Sequence, residues 1–362
     1  MTKPGADVMI GRLPRDGCTL NPIILRLLVV TLCGLLAVNT TGQNFVIDSI
    51  INPTSLRHVV EVLASDSLQG RFTGTPQAQT AASFIAEEFK KAGTTPLVGN
   101  DGYFMPFLTS GDSVKLGINV MGGLKGTSKP NEVIIFCAHY DHVGTKSTNS
   151  FDFSKSGRSI RQGDTIYNGA NDNASGVSAL IHLARYFGQL KNNKRTIIFI
   201  AFSGEELGLK GSLRTVSFFK SEEVIAVVNI EMIGRPISKK RRQAFITGSH
   251  LSDLQKLLNK KLFEADKEFY GRKFFTTDPF PDENLFVRSD NYWFAMKGIP
   301  SHTIMGCGPN DDYYHSPADE TTTLDFTLME RLVRAIAIST SIFVEGTATP
   351  SRLNTHRINS GL

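Results

Sequence analysis

Two glutamates stand side by side at Glu205 and Glu206, in AFSGEELGLKGS (201–212), just past the apolar run Thr196–Phe202. Adjacent like charges repel, and the inner end of a strand is a costly place to keep both ionised. Other ligand-type side chains close comparable runs. VIIFCAHYDHVG (133–144) leads into His139 and Asp141, and VVNIEMIGR (227–235) carries Glu231. GANDNASG (169–176) holds Asp172 just before a helical pattern, and YYHSPADE (313–320) offers His315. Each has an ordinary explanation when taken alone. A histidine after a strand is commonly structural, a loop Glu-Glu pair is usually solvated, and Asp172 could cap the helix starting near Ala174. Glu231 differs, because a carboxylate ending an apolar run needs a partner.

Divalent metal is the simplest partner these groups could share. Zinc takes histidine nitrogen and carboxylate oxygen in near-tetrahedral sites, and keeps an open position when catalytic. Two zinc ions bring four positive charges, which Asp172, Glu206, Glu231 and a bridging hydroxide would balance. One glutamate of the pair would then ligate metal, and the other would be placed to take a proton from activated water. Along a strand, residues i and i+2 point the same way, so Asp141 could fix the tautomer of His139.

The elements that must carry these residues follow from periodicity. Apolar, β-branched runs predict strands at Ile118–Met121, Val133–Ala138, Thr196–Phe202, Val224–Ile230, Ala244–Thr247 and His302–Met305. Helical spacing marks Pro76–Lys91, with Thr75 as its cap, and Ala174–Gln189, Leu251–Phe263 and Leu324–Val344. Strands alternating with helices predict an α/β fold, three layers with a mixed, mainly parallel central sheet. In such sheets ligands bind beyond the carboxyl ends of the strands, where the residues above fall.

The chain resembles the di-zinc exopeptidases of metallopeptidase family twenty-eight, typified by bacterial zinc aminopeptidases. The likeness runs from SLQGRFTGTPQAQTAASFIAEEFKKAG (67–93) to YHSPADE, with AHYDHVG, GANDNASG, SGEELGLKGS and YHSPAD in the family's order. It implies that His139 and Glu231 hold one zinc, that Glu206 and His315 hold a second, and that Asp172 bridges the two. It also implies Glu205 as general base and Asp141 as the residue orienting His139. The better-known aminopeptidases have aspartate where this chain has Glu231, an extra methylene that the backbone must absorb. The implied activity is hydrolysis of N-terminal residues from peptide substrates, with Tyr313 or Tyr314 offering an oxyanion hydrogen bond. Asp290 would hold a substrate amine or cap a helix.

Composition bounds the rest. The chain has 362 residues and a formal charge of +5. Residues 1–42 read as a signal peptide: Arg12, Arg15 and Arg26 precede Leu27–Val38, a run of roughly 12 residues that is too short to span a membrane. Its removal predicts an exported protein, secreted or periplasmic, with no stable membrane insertion. The remaining charge of about +3 is too mild for nucleic acid. It also leaves only Cys137 and Cys307, too few for a disulfide scaffold. One zinc-dependent peptidase domain is expected over 43–345, with a surface loop near 146–163 and a disordered tail over 346–362. NAS (173–175) fits a glycosylation triplet, but it abuts Asp172 and reads as coincidence. Three alternatives stay open: a glutaminyl cyclase-like acyltransferase, a carboxypeptidase, or a non-catalytic binding ectodomain.

Overall fold

In the computed structural model, the described residues are 46–97, 102–109, 114–148, 163–240 and 243–359. The predicted signal peptide and most of the loop near 146–163 lie outside them. Alternating burial explains the central sheet. In β4 (Lys129–His139), Ile134, Phe136 and Ala138 face one apolar layer, while Val133, Ile135 and Cys137 face the other. Both faces must therefore be covered, which a parallel sheet between helices achieves.

The strands before β4 are β1 (Thr95–Pro96), β2 (Phe104–Leu108) and β3 (Leu116–Leu124). Those after it are β5 (Gly144–Thr145), β6 (Ile166–Tyr167), β7 (Arg195–Phe202) and β8 (Val224–Glu231). The last three are β9 (Phe245–Ile246), β10 (Thr276–Thr277) and β11 (Ser301–Met305). β5 and β6 form a separate small ribbon; the other nine make one mixed sheet in the order β1-β3-β7-β4-β8-β11-β9-β10, with β2 also on β3. Its four central strands, β7, β4, β8 and β11, run parallel. All six strand predictions fall on these elements.

Five helices pack against the larger apolar layer: α1 (Pro53–Leu63), α2 (Pro76–Lys91), α3 (Gly176–Leu190), α4 (Leu254–Ala265) and α5 (Phe326–Val344). Thr75 caps α2 as expected, its hydroxyl accepting from the Ala78 amide at 3.2 Å. The opposite face is closed by short helices, notably Asn291–Ala295, whose Phe294 lies in the second apolar layer. No helix among the described residues is long and apolar enough to cross a membrane.

The expected disordered tail is a correction. Residues 346–359 run back over the domain and end in α6 (Thr355–Asn359). Leu353 and Ile358 are buried with Leu251 and Ala295, and the Leu353 amide donates to the Gly298 carbonyl at 3.0 Å. Two apolar residues five apart give too little periodicity to announce a docking segment; the groove that receives them supplies the order. Cys137 and Cys307 are both buried free thiols.

Burial has a pH consequence. His182 in α3 and His302 in β11 are almost fully buried, and burial lowers each to about 4. The unfolded chain takes up these protons near 6.5, the folded protein only near 4. Stability is therefore lost as pH falls through that window, by about 1.4 kcal/mol per histidine per pH unit. Urea denaturation between pH 7 and 4 should show this slope, reduced in His182→Gln; an unchanged slope would rule out this origin.

Candidate metal centre

Strand register brings the predicted residues together. His139 ends β4 opposite Phe202, the last residue of β7, and Glu231 ends β8 opposite Met305, the last residue of β11. Glu205 and Glu206 follow β7 by three and four residues. Asp172 lies in an irregular turn, residues 170–175, just before α3. It does not cap that helix: Asn173 Oδ1 accepts from the Gly176 amide instead. Asn173 is fully buried, which suits the reading of NAS as coincidence. His315 comes from the loop after β11 and holds a left-handed backbone (φ 48°), which costs a non-glycine residue about 1–2 kcal/mol.

The side chains form two groups whose nitrogen and oxygen atoms lie within 4.8 Å of one another. The first is His139, Glu205 and Glu231; the second is His142, Asp172, Glu206 and His315. Asp172 joins them. Its Oδ1 is 3.3 Å from His139 Nε2, and its Oδ2 is 3.2 Å from His315 Nε2. His315 Nε2 is also 3.1 Å from Glu206 Oε2. Glu231 reaches the first group despite its extra methylene: Oε1 is 4.0 Å from His139 Nε2, and Oε2 accepts from Ser289 Oγ. Buried imidazole nitrogens converging with carboxylate oxygens are the donor set zinc takes, so these residues fit the metal.

Asp141 acts differently from the expectation. His139 Nδ1 is 3.1 Å from the Asp141 backbone carbonyl and 3.8 Å from its carboxylate. The carbonyl orients the imidazole because β4 ends at His139, and the side-chain alternation of a strand ends with it. The Asp141 carboxylate instead accepts from Thr73 Oγ1 at 2.9 Å and from the Glu205 amide at 3.2 Å. It positions the glutamate pair.

Electrostatics separate the two neighbours. Burial pushes Glu205 well above the usual carboxylate range, Glu206, Glu231 and Asp290 adding repulsion against the pull of His139. Burial opposes ionisation of Glu206 too, but His315 and His142 hold it down to about 2. Carboxylates whose environments drive them apart are the mark of distinct acid–base and ligand roles. His315, despite burial, is raised to about 10 by Glu206 and Asp172.

Three supporting residues had escaped the sequence reading. His142 lies inside the quoted AHYDHVG, but three residues past His139 strand parity would point it away; the turn after β4 brings it back. Asp319 accepts from the Asn171 and Asp172 amides and from Arg235, tying the Asp172 turn to the His315 loop. Arg71 is wholly buried and donates to the carbonyls of Leu63, Tyr140, Asn168 and Gly169. It clamps the segments carrying His139 and Asp172. Burial lowers its guanidinium to about 10, with Asp141 and Asp172 favouring its charge.

A pocket opens onto both groups, walled in part by Leu285, Arg288, Met305, Pro309 and Tyr314. Of the two candidate tyrosines only Tyr314 lines it, stacked on the His315 ring at 3.9 Å between centroids, whereas the Arg235 guanidinium lies over Tyr313. Asp290 is fully buried, does not line the pocket and makes no capping bond.

The family model for peptidase family M28 matches residues 119–339, more than half of the chain. The chain belongs to that family. A "probable zinc metalloprotease" of Pyrenophora teres f. teres is 37% identical over 117 residues, 32% of this chain and 22% of that protein. The match thus spans less than a quarter of that relative. Among solved structures, the LapA aminopeptidase of Legionella pneumophila superposes with a TM-score of 0.61 at 18% identity, over 84% of this chain and 75% of that one. The glutaminyl cyclase of Porphyromonas gingivalis does so at 0.59 and 14% identity, over 83% of this chain and 99% of that one. These likenesses establish the zinc-exopeptidase α/β fold; they do not choose between chemistries.

Replacing Arg71 by Met should cost about 3 kcal/mol or more, because several buried carbonyls lose their donor. Arg71→Lys should recover only part of this, since an ammonium cannot present the same planar fork. Chemical denaturation of the purified variants measures both, and a near-neutral Arg71→Met would contradict the clamp.

Proposed function

We propose that this chain is an exported, zinc-dependent aminopeptidase with two zinc ions per chain. The observation that carries the reading is geometric: two groups of imidazole and carboxylate donors share Asp172, and Glu205 lies in the first of them, next in sequence to Glu206 of the second. Family membership and the aminopeptidase named among the similar structures support it. The leader-like residues 1–42 support export.

In this reading His139 and Glu231 would hold the first zinc, Glu206 and His315 the second, and Asp172 would serve both. When bound, zinc supplies Lewis acidity for the scissile carbonyl and lowers the pKa of nearby water. Glu205 takes a proton from the attacking water and passes it to the leaving amine. The Asp141 carboxylate fixes Glu205 through its backbone amide. Tyr314 offers its hydroxyl to the oxyanion that develops on the substrate.

Arg288 in the pocket wall favours a second reading. A guanidinium there could hold a free carboxylate, as a carboxypeptidase requires. Aminoacyl-anilides and N-blocked dipeptides separate the two. An aminopeptidase cleaves the former, and Arg288→Gln should change its kcat/KM only a few-fold; a carboxypeptidase cleaves the latter, and Arg288→Gln should raise its KM strongly. Release of ammonia from N-terminal glutamine peptides, with no hydrolysis, would select the cyclase chemistry. Complete inactivity of the zinc-loaded protein would point to a binding domain.

Glu205→Gln should lower kcat by about 10²–10⁴-fold with zinc content retained, as expected for loss of a general base. Undiminished turnover would remove Glu205 from that role. Dialysis against a chelator should abolish turnover and lower the melting temperature, and added zinc should restore both.

A further inference from the structure

His142 stands as deep in the second group as the residues the motifs assign there. Its Nδ1 is 3.0 Å from Glu206 Oε1 and 3.7 Å from Asp172 Oδ2. Across the same two carboxylates, His315 Nε2 is 3.2 Å from Asp172 Oδ2 and 3.2 Å from Glu206 Oε1. Ligands about 2.0–2.1 Å from a tetrahedral zinc lie about 3.3–3.4 Å from one another. The four separations bracket that edge length. The two imidazoles meet edge to face, with centroids 5.4 Å apart and planes at 74°, so neither ring blocks the other's approach to a shared centre.

The backbone makes room for this ring. Gly169 has φ +57°, and a Cβ there would stand 2.5 Å from His142 Cγ and Cδ2. A side chain at 169 would displace the imidazole from the group. A hydrogen bond to Glu206 would require only one acceptor, yet Nδ1 faces both carboxylates. The first group is poorer in protein ligands: His139 and Glu231, with Asp172 reaching over, and Glu205 alongside.

We propose that His142 is a direct ligand of the second metal position, which has four protein ligands: His142, Asp172, Glu206 and His315. The first position, with His139, Asp172 and Glu231, has three and is the open one, next to Glu205. The inference rests on the zinc-peptidase reading and deepens it by making the two positions unequal. Four protein ligands make a closed, tightly held site; three make a site with room for water or substrate. The second position therefore fills first.

Zinc titration of the metal-stripped full chain, followed by calorimetry, tests the order of filling. X-ray absorption on protein loaded with one equivalent counts the imidazoles around the metal. Wild type should bind zinc in two steps of unequal affinity, the tighter-bound ion seeing two imidazoles. His142→Ala and His142→Gln should both weaken the tighter step by more than the roughly 10–100-fold that loss of a partner merely orienting a ligand costs, and leave one imidazole. The glutamine variant can still donate to Glu206. If it keeps wild-type affinity, or if the tighter-bound zinc in wild type sees one imidazole, His142 merely orients Glu206 and the proposal fails. Two equal steps would also overturn it. The wild-type imidazole count stands even if a variant does not fold. Failure of wild type to bind any zinc would instead bring down the underlying zinc-peptidase reading, and this proposal with it.

Discussion

The governing constraint is the gathering of like charge in a dry place. Asp172 and Glu231 are buried and Glu205 and Glu206 partly so; the four carboxylates fall in two adjoining groups, and buried Asp141 stands behind them, accepting from the Glu205 amide. Ionised carboxylates so placed need compensation, because desolvation and mutual repulsion both oppose them. The fold supplies part of it through His139, His142 and His315, and part through the buried guanidinium of Arg71. What remains is the kind of deficit that divalent cations offset. The same crowding separates the adjacent glutamates: Glu206 lies against two imidazoles, while Glu205, besides its burial, has one, His139, set against the carboxylates of Glu206, Glu231 and Asp290.

Register is how a chain of ordinary composition arrives at that arrangement. Parallel neighbours β4, β7, β8 and β11 end at nearly the same level, so His139, Phe202, Glu231 and Met305 form one rim. The residues beyond the rim are loops, which by themselves would wander. They are tied down by buried hydrogen bonds that reach far along the sequence. Arg71 holds the carbonyls of Tyr140, Asn168 and Gly169, and Asp319 holds the amides of Asn171 and Asp172. Such bonds are stringent, because a buried polar group left unpaired costs about 1–3 kcal/mol. Ligand geometry is thereby coupled to the stability of the whole domain.

The architecture was legible in the sequence because the central strands β4, β7, β8 and β11 are buried on both faces over most of their length, and helices such as α2 on one. β-branched runs and helical spacing report those environments directly, as Thr196–Phe202 and Pro76–Lys91 do. The tail was misread because its two anchors, Leu353 and Ile358, have no period of their own; the groove formed by Leu251 and Ala295 orders them. The contacts of the Asp141 carboxylate are not legible for a related reason: strand alternation does not continue past His139, where the strand stops and the backbone turns.

The α/β class, the rim positions of the ligand-type residues and the pairing of two glutamates beyond one strand can all be read from the chain alone. These depend on local composition and on the ends of apolar runs. Which atoms meet is a matter of the folded domain. Folding sets Asp172 between two groups, puts His142 in the second of them, turns the Asp141 carbonyl rather than its carboxylate towards His139, and places Arg71 against both loops. Those outcomes depend on turns and long-range hydrogen bonds, whose directions follow from packing across the whole domain and leave no periodic trace in the chain.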